Sequence, residues 1–385
     1  MAYHVAIHWP DFLQKYWQKQ PVVLRRALFP FVDPLSADEL AGLAMEELID
    51  SRLVSRQQGK WHVQHGPFES FDHLGECDWS LLVQAVDHWH PVAAGLMEPF
   101  RSLPNWRLDD LMISFSVPGG GVGPHIDQYD VFIIQGMGRR RWRVGAKGDH
   151  PQVCPHPGLL QVADFTPIID AELEAGDILY IPPGFPHDGY ALEPALNYSV
   201  GFRAPNQREL FSHFADYLLQ QDGGNQRYSD PELQPSTAAG CIQNHEVQQL
   251  RDMMQALLTH DDFAHQLAQS LSEAKHELAL EPVEPPFTEG EIYDRLEAGE
   301  RLVRLGGLRA LYLEGEELVC FINGEAFSVP DGAFALIKLL CDQTVTMPNQ
   351  LDAYLSQPEV LAWLSMLINS GYWYFEADMQ SEDEA

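Results

Sequence analysis

The sequence predicts an α+β protein built from three successive parts. Up to about residue 205, short apolar runs alternate with turns rich in Gly and Pro, which is typical of an all-β sandwich or barrel. From 206 to 280, apolar residues recur at helical spacing. From 287 to 378, strands mix with short helices in a winged-helix-like layout. We therefore expect domains over 1–205, 206–280 and 287–378.

Composition and charge indicate a globular protein and disfavour nucleic-acid and membrane partners. Apolar residues make up 45% of the 385 residues and aromatic residues 11%, enough to form buried cores. The 24 Lys and Arg against 56 Asp and Glu give a net charge of −32. Such a charge repels phosphate backbones and anionic membranes and attracts a basic protein partner.

The location expected from the sequence is the cytoplasm. The first residues show no secretory signal, and no stretch approaches the length of a membrane helix. The cysteines are odd in number and form no C-x-x-C pair, which favours a reducing compartment; they are Cys77, Cys154, Cys241, Cys320 and Cys341.

The elements of the first part are short strands with flanking helices. Helices are expected near 10–19 and 36–50. The expected strands lie in the segments LDDLMISFSV, HIDQYDVFIIQ, RRRWRV, EAGDILYI and ALNYSVGFRA.

The second part predicts amphipathic helices, and the third part predicts a winged-helix layout. Amphipathic helices such as EVQQLRDMMQALLTH either cap a barrel or pair with a second copy of the chain, and both remain open. In the third part, the segment RALYLEGEELVCFINGEAFSV predicts two strands, and PEVLAWLSMLINSG predicts the recognition helix of a winged-helix layout. That helix contains no Lys or Arg, so DNA binding is not expected.

One set of residues predicts a metal centre. His125 and Asp127 are two apart in a predicted strand, so both side chains lie on one face. His187 follows a strand and a tight turn that would present it at a barrel mouth. Two histidines and one carboxylate hold Fe(II) with three positions open, whereas zinc more often takes a third His or Cys. With 16 histidines in the chain, a chance H-x-D remains the alternative.

A second set predicts an anion pocket. In RRRWRV, strand alternation places Arg140, Trp142 and Val144 together on the interior face. An interior arginine needs a fixed anion, which a dicarboxylate cosubstrate would supply; the alternative is a basic solvated strand. Further hydrogen bonds to this pocket are expected from Asn197, Ser199, Ser114 and Ser116.

These residues resemble those of the JmjC-type cupin oxygenases that depend on Fe(II) and 2-oxoglutarate. The resemblance rests on His125-x-Asp127, on Arg140 fifteen positions after His125, and on LYIPPGFPH ending at His187. FLQKYWQKQPVVLRRAL and NYSVGF resemble the opening and the last barrel strand of that family. Helices followed by an acidic winged-helix-like domain resemble one branch, the bacterial ribosomal oxygenases, over the whole chain.

The resemblance implies a double-stranded β-helix (jelly-roll, cupin) with Fe(II) on His125, Asp127 and His187. It also implies 2-oxoglutarate chelating the metal and O2 as oxidant. Many relatives have a lysine where this chain has Arg140, which keeps the positive charge. The ribosomal branch further implies a homodimer through the middle helices.

The substrate implied by the resemblance is an arginine side chain of large-subunit ribosomal protein sixteen. An arginine near the metal needs carboxylate or aromatic partners, and Asp130, Tyr129 and Asp188 are the candidates. Asp130 and Tyr129 point to opposite faces of an ideal strand, so both can serve only with a bulge.

Two other functions remain open at this point. One is a non-catalytic metal-binding cupin that acts as a dimeric scaffold. The other is an oxygenase that acts on RNA or on another basic protein, although no basic groove is evident in the sequence.

Overall fold

Fourteen strands form the first part of the chain. The computed structural model describes residues 3–235, 237–259 and 262–380. The strands are β1 (Val22–Leu24), β2 (Ser51–Gln57), β3 (Lys60–His65), β4 (Trp79–Val83), β5 (Leu108–Ser116), β6 (His125–Ile126), β7 (Asp130–Gln135), β8 (Arg140–Gly145), β9 (Gln152–His156), β10 (Leu159–Val162), β11 (Pro167–Leu173), β12 (Ile178–Ile181), β13 (Pro186–Ala191) and β14 (Ala195–Phe202).

Two antiparallel sheets make up a double-stranded β-helix. The larger sheet has eight strands in the order β1-β12-β7-β14-β5-β4-β2-β3, and the smaller has four in the order β11-β8-β13-β6. From β5 to β8 the chain alternates between the two sheets, so residues distant in sequence meet inside the barrel. The predicted barrel is therefore observed, as the jelly-roll variant.

Short helices pack on the outside of the larger sheet. They are α1 (Trp9–Lys15), α2 (Ala37–Leu43), α3 (Val86–Trp89) and α4 (Pro91–Ala94). The helix expected over 36–50 ends at Leu43, because the Ala44 carbonyl turns to accept the backbone N–H of Phe68 instead.

The hydrophobic core lies between these helices and the larger sheet. It contains Phe12, Leu40, Phe100, Phe132 and Tyr180, each at most 4% exposed. Two smaller apolar clusters, around Val144 and around Val54, lie inside the barrel. The barrel interior is thus partly filled by apolar side chains.

In the described residues after the barrel, three longer helices follow: α5 (Gln207–Gln220), α6 (Asn244–Leu258) and α7 (Phe263–Ser272). Asn206 caps α5, since its side chain accepts from the backbone N–H of Glu209 and the Glu209 side chain accepts in return. α7 also contacts the last part of the chain, where His265 lies 3.3 Å from Glu316.

The last part has its own core and two three-stranded sheets. Its elements are α8 (Glu289–Glu297), β15 (Leu302–Arg304), β16 (Ala310–Tyr312), β17 (Val319–Ile322), β18 (Glu325–Ser328), α9 (Phe334–Asp342), β19 (Val345–Thr346), α10 (Asp352–Leu355), α11 (Pro358–Asn369), β20 (Trp373–Phe375) and α12 (Glu376–Gln380). The segment expected to hold two strands holds three, β16 to β18, because two turns divide it.

Across the described ranges, none of the helices has both the length and the apolar character needed to cross a bilayer.

Candidate metal and cosubstrate site

Strand pairing in the smaller sheet brings the two candidate histidines together. β6 and β13 are antiparallel, and His125 is the direct partner of His187 in their register. The approach to His125 requires Gly123, whose φ is +78° and where a Cβ would lie 2.2 Å from the Gln161 amide. The ladder therefore explains how residues 62 positions apart face one another.

The three predicted ligands converge on one point. Their donor atoms all lie within 4.8 Å of one another. Asp127 Oδ2 is 3.5 Å from His187 Nε2 and 3.9 Å from His125 Nε2. The two imidazole rings have centroids 4.2 Å apart. This donor set fits a metal of the type held by two histidines and one carboxylate, with further positions open.

Backbone carbonyls fix which nitrogen of each ring is free. His125 Nδ1 lies 2.8 Å from the Gly123 carbonyl, and His187 Nδ1 lies 3.1 Å from that of Phe185. A carbonyl can only accept, so each Nδ1 carries the proton and each Nε2 keeps its lone pair. Both lone pairs point to the space beside Asp127.

His125 and Asp127 are both biased towards the protonation state that binds a metal, whereas His187 is biased by Asp127 towards its protonated form, whose proton a metal would displace. Burial lowers the pKa of His125 to about 4, so this ring is neutral at neutral pH. Burial also opposes protonation of His187, but the hydrogen bond and charge of Asp127 outweigh it and raise the pKa of His187. For Asp127, burial is outweighed by the two histidines, which hold its pKa below the ordinary value.

Arg140 lies inside the barrel, as strand alternation predicts for β8. It is 5% exposed, and its Nη1 donates to the hydroxyls of Ser114 and Ser116, each at 3.3 Å. Its Nη2 donates to the Gly189 carbonyl at 3.0 Å, while its buried Nε has no acceptor. Burial lowers the pKa of Arg140 to about 10.

The Arg140 pocket fits a carboxylate. Within the part of the chain that the structure describes, no acidic side chain forms an ion pair with Arg140, whereas Arg141 pairs with Asp170 at 2.7 Å. Asn197 is buried beside the same strands, and its Oδ1 is another buried polar atom without a partner. An anion entering here would satisfy a charge that is otherwise costly to bury.

Of the residues expected to contact substrate, Tyr129 lies at the site. Its hydroxyl approaches the Asp127 carboxylate and helps to lower the pKa of Asp127. The side chain is 38% exposed, so its ring is open to a ligand entering towards the metal.

Asp130 and Asp188 are not brought to the metal, which corrects the expectation for both. Asp130 is 1% exposed on the opposite face of β7, where it accepts from Tyr180 at 2.6 Å and pairs with Arg107 at 3.0 Å. Asp188 follows His187 in β13, so its side chain points to the outer face, next to its register partner Arg143.

The structure adds Asp110, a residue that the sequence analysis did not select. It shares the inner face of β5 with Ser114 and Ser116, four and six residues away, and is 8% exposed. Asp110 interacts electrostatically with Tyr129, and its Oδ2 accepts from the Ala85 N–H at 3.0 Å. Burial, followed by the charges of Asp87 and Asp109, raises the pKa of Asp110 to about 7. Period-two alternation along β5 was the signal that could have identified it.

Two protein-family models match the chain. A JmjC domain matches residues 95–210, which include the three candidate metal ligands and Arg140. A ROXA-like winged helix matches residues 248–374 and so begins inside α6.

Curated relatives match along most of the chain. The ribosomal protein uL16 3-hydroxylase of Escherichia coli (strain K12) is 59% identical over 377 residues, covering 98% of this chain and all of that protein. A probable ribosomal oxygenase of Haemophilus influenzae is 32% identical over 331 residues, covering 82% of this chain and 80% of that protein.

A solved structure has the same fold throughout. YcfD, a ribosomal oxygenase from Escherichia coli, in complex with cobalt and 2-oxoglutarate, aligns with a TM-score of 0.89 and 56% identity. The alignment covers 97% of this chain and 99% of that chain. That complex pairs a metal with the diacid class for which the Arg140 pocket is suited.

Proposed function

The chain belongs to the JmjC-domain ribosomal oxygenases, and from that premise we propose that it hydroxylates an arginine side chain of ribosomal protein uL16 with Fe(II), 2-oxoglutarate and O2. The observation that carries the proposal is the convergence of His125, Asp127 and His187 in a barrel whose strand β8, paired with that of His187, buries Arg140. The uL16 specificity is supported by the E. coli relative, whose name states that it is a uL16 3-hydroxylase.

Three side chains hold the metal in this proposal. His125 and His187 bind through Nε2 because their Nδ1 atoms are committed to backbone carbonyls, and Asp127 binds through a carboxylate oxygen. Fe(II) bound in this way, with 2-oxoglutarate and O2, supplies the oxidising power that inserts one oxygen atom into a C–H bond, while the diacid becomes succinate and CO2.

Arg140 orients the cosubstrate by binding its far carboxylate. The Nε–H and one Nη–H of a guanidinium match two carboxylate oxygens, and Nε of Arg140 is free of other acceptors. Ser114 and Ser116 hold the guanidinium in place and can donate their own hydroxyl protons to the same carboxylate. Asn197 is fixed by its hydrogen bond to Gln135 at 3.0 Å and closes the pocket.

Asp110 and Tyr129 form the pocket for the target guanidinium. A buried carboxylate pairs strongly with a guanidinium, and an aromatic ring adds a cation–π contact. Both residues lie on the inner side of the barrel, and the Tyr129 hydroxyl approaches the Asp127 carboxylate, so a cation held there is close to the metal. The net charge of −32 steers a basic protein towards the enzyme.

A homodimer through the middle helices completes the proposal. α6 exposes Val247, Leu250, Met254 and Leu258, which recur at helical spacing on one side. α5 exposes Leu210 and Phe211, and an apolar cavity of about 270 Å³ lies between α5, α6 and α7. A second copy of the chain would cover this apolar surface. In this proposal, residues 1–205 form the catalytic domain, 206–280 form the dimerisation segment and 287–378 form the C-terminal domain.

Mass spectrometry of purified uL16 tests the activity. Incubation with the enzyme, Fe(II), 2-oxoglutarate and O2 should add one oxygen atom, and fragmentation should place it on an arginine. Unmodified uL16, in a reaction where a second ribosomal protein gains the oxygen, would contradict the uL16 assignment. Oxygen on a residue other than arginine would contradict the proposed pocket.

A further inference from the structure

A second arginine lies on the inner side of the barrel. Arg52 belongs to β2, where its register partner is Leu82 of β4. Leu82 and Val54, two residues along from Arg52, both belong to the apolar cluster inside the barrel. Period-two alternation therefore places Arg52 on the inner face of the larger sheet.

The Arg52 guanidinium has no protein partner among the residues that the structure describes. Its Nε is buried and has no acceptor, and among the described residues no hydrogen bond or ion pair involves its guanidinium. Arg56, four residues along the same strand, pairs with Asp78 at 3.2 Å and lies over the Trp61 ring. A half-buried guanidinium without an acceptor is unfavourable, so the acceptor is expected from a ligand.

The guanidinium of Arg52 lies near the metal site. It is close enough to interact electrostatically with His125, a predicted metal ligand, and with Tyr129, which is partly exposed beside it. The acceptor for Arg52 therefore belongs to a molecule that enters the same space.

The charges around the site restrict what that acceptor is. The target arginine is repelled by Arg52 and attracted by Asp110, so its guanidinium does not face Arg52. The far carboxylate of the cosubstrate already has Arg140. Of the acceptors on a basic protein segment, the main-chain carbonyl oxygens are the ones that every residue supplies, whatever its side chain.

We propose that Arg52 is a positioning residue that donates hydrogen bonds to main-chain carbonyl oxygens of the substrate segment. This inference rests on the proposed function, and it specifies the direction in which the substrate segment lies across the site. The cationic side chain enters on the side of Asp110, and the backbone that carries it is held by Arg52. A segment bound in the reverse direction would bring its cation against Arg52.

The test compares Arg52→Met and Arg52→Lys with the wild type, and Arg56→Met is the matched control from the same strand. The measurements are KM for a uL16 fragment, KM for 2-oxoglutarate, and the Kd of the fragment for cobalt-loaded, 2-oxoglutarate-bound protein without O2. Arg52→Met should raise both the fragment KM and its Kd by about tenfold, the effect of losing a charge-assisted hydrogen bond. Arg52→Lys should fall between, and Arg56→Met should match the wild type.

Two results would overturn the inference while the proposed function stands. One is a wild type that hydroxylates the fragment and an Arg52→Met variant with the same fragment KM and Kd. The other is an Arg52→Met variant whose 2-oxoglutarate KM rises while the fragment Kd is unchanged, since Arg52 would then bind the cosubstrate. A wild type that neither binds nor hydroxylates the fragment would overturn both the proposed function and this inference.

Discussion

Among the single residues of the site, Arg140 has an environment that suits a ligand better than it suits the free protein. Its charge is buried, its acceptors in the protein are neutral, and the cost of burial lowers its pKa to about 10. A carboxylate bound to this guanidinium would relieve that cost, so cosubstrate binding and stability are coupled at this residue.

Replacing Arg140 with Met should therefore weaken both the binding of 2-oxoglutarate and the stabilisation that 2-oxoglutarate gives to the folded protein. We expect Arg140→Met to raise the KM for 2-oxoglutarate roughly 10- to 100-fold, as loss of a bidentate charged contact does. In thermal unfolding of the metal-loaded protein, a given concentration of 2-oxoglutarate should raise the Tm of the wild type more than that of the variant, whose weaker binding gives less stabilisation. An equal rise in Tm for both proteins would exclude Arg140 from the pocket.

The proposed role of Asp110 predicts that substrate binding depends on pH. With the pKa of Asp110 near 7, the carboxyl is neutral below that pH and cannot pair with a guanidinium. The substrate KM of the wild type should therefore rise as pH falls through 7, by up to about tenfold per pH unit. Asp110→Asn should have a high KM that changes little with pH, measured at saturating 2-oxoglutarate. The same pH profile in both proteins would contradict this role.

Local patterns predict some of these residues and miss others. The spacing of His125 and Asp127 and the alternation in β8 are visible in the sequence because period two is local. The same rule applied to β5 leads from Ser116 to Asp110, but only a sheet pairing shows that this face lines the site. Asp130 was wrong as a substrate contact because Arg107, distant in sequence, occupies its carboxylate.

The paired strands β8 and β13 form one side of the proposed cosubstrate pocket. Gly189 of β13 is the register partner of Trp142 and supplies the carbonyl that accepts from Arg140. A Cβ at Gly189 would lie 2.6 Å from the Trp142 ring. Glycine at this position lets the indole lie flat across the strand between Arg140 and His187.

Gly189→Ala should disturb the pocket through this element. Trp142 has to move, and the Arg140 acceptor moves with the strand, so the KM for 2-oxoglutarate should rise by about tenfold or more. Gly290→Ala is the control, since a Cβ there meets no atom closer than 4.0 Å. Wild-type kinetics for Gly189→Ala would show that the close contact with Trp142 has no role in cosubstrate binding.

Pairing between elements accounts for what sequence patterns could not predict. The strands of β2 and β3 were not identified, because SRLVSRQ mixes polar and apolar residues without a simple alternation. The ladder from His125 to His187 joins strands far apart in the chain, and its register follows from the whole sheet rather than from either strand. Arg52 was missed because its strand, β2, has no simple alternation and because only the sheet pairing shows which side of β2 faces the barrel interior.

At the scale of the whole molecule, α6 presents an apolar stripe to solvent. Leu250 and Met254 on this stripe are 47% and 54% exposed. The double variant Leu250→Glu, Met254→Glu should convert a dimer into a monomer in sedimentation, because burying two carboxylates at the interface is unfavourable. Gln255→Glu on the same helix is the charge control. A wild type that sediments as a monomer would contradict the dimer.

The barrel and the winged-helix layout could be predicted from composition and periodicity, and both are found. The bounds of the three parts, 1–205, 206–280 and 287–378, stay a prediction. What the sequence did not indicate is that α7 packs against the C-terminal sheet, through contacts such as His265 with the Phe321 ring at 5.6 Å. Packing between parts depends on surfaces that form only after each part has folded.

The central claim is that one metal ion is held by His125, Asp127 and His187. The most direct measurement is a titration of the metal-free protein with Co(II), followed by its visible absorption and by metal analysis after gel filtration. We expect one cobalt per chain in the wild type and in Asp110→Asn, and loss of tight binding in Asp127→Ala with unchanged circular dichroism. Retention of one tightly bound cobalt with the wild-type spectrum in Asp127→Ala would contradict the claim.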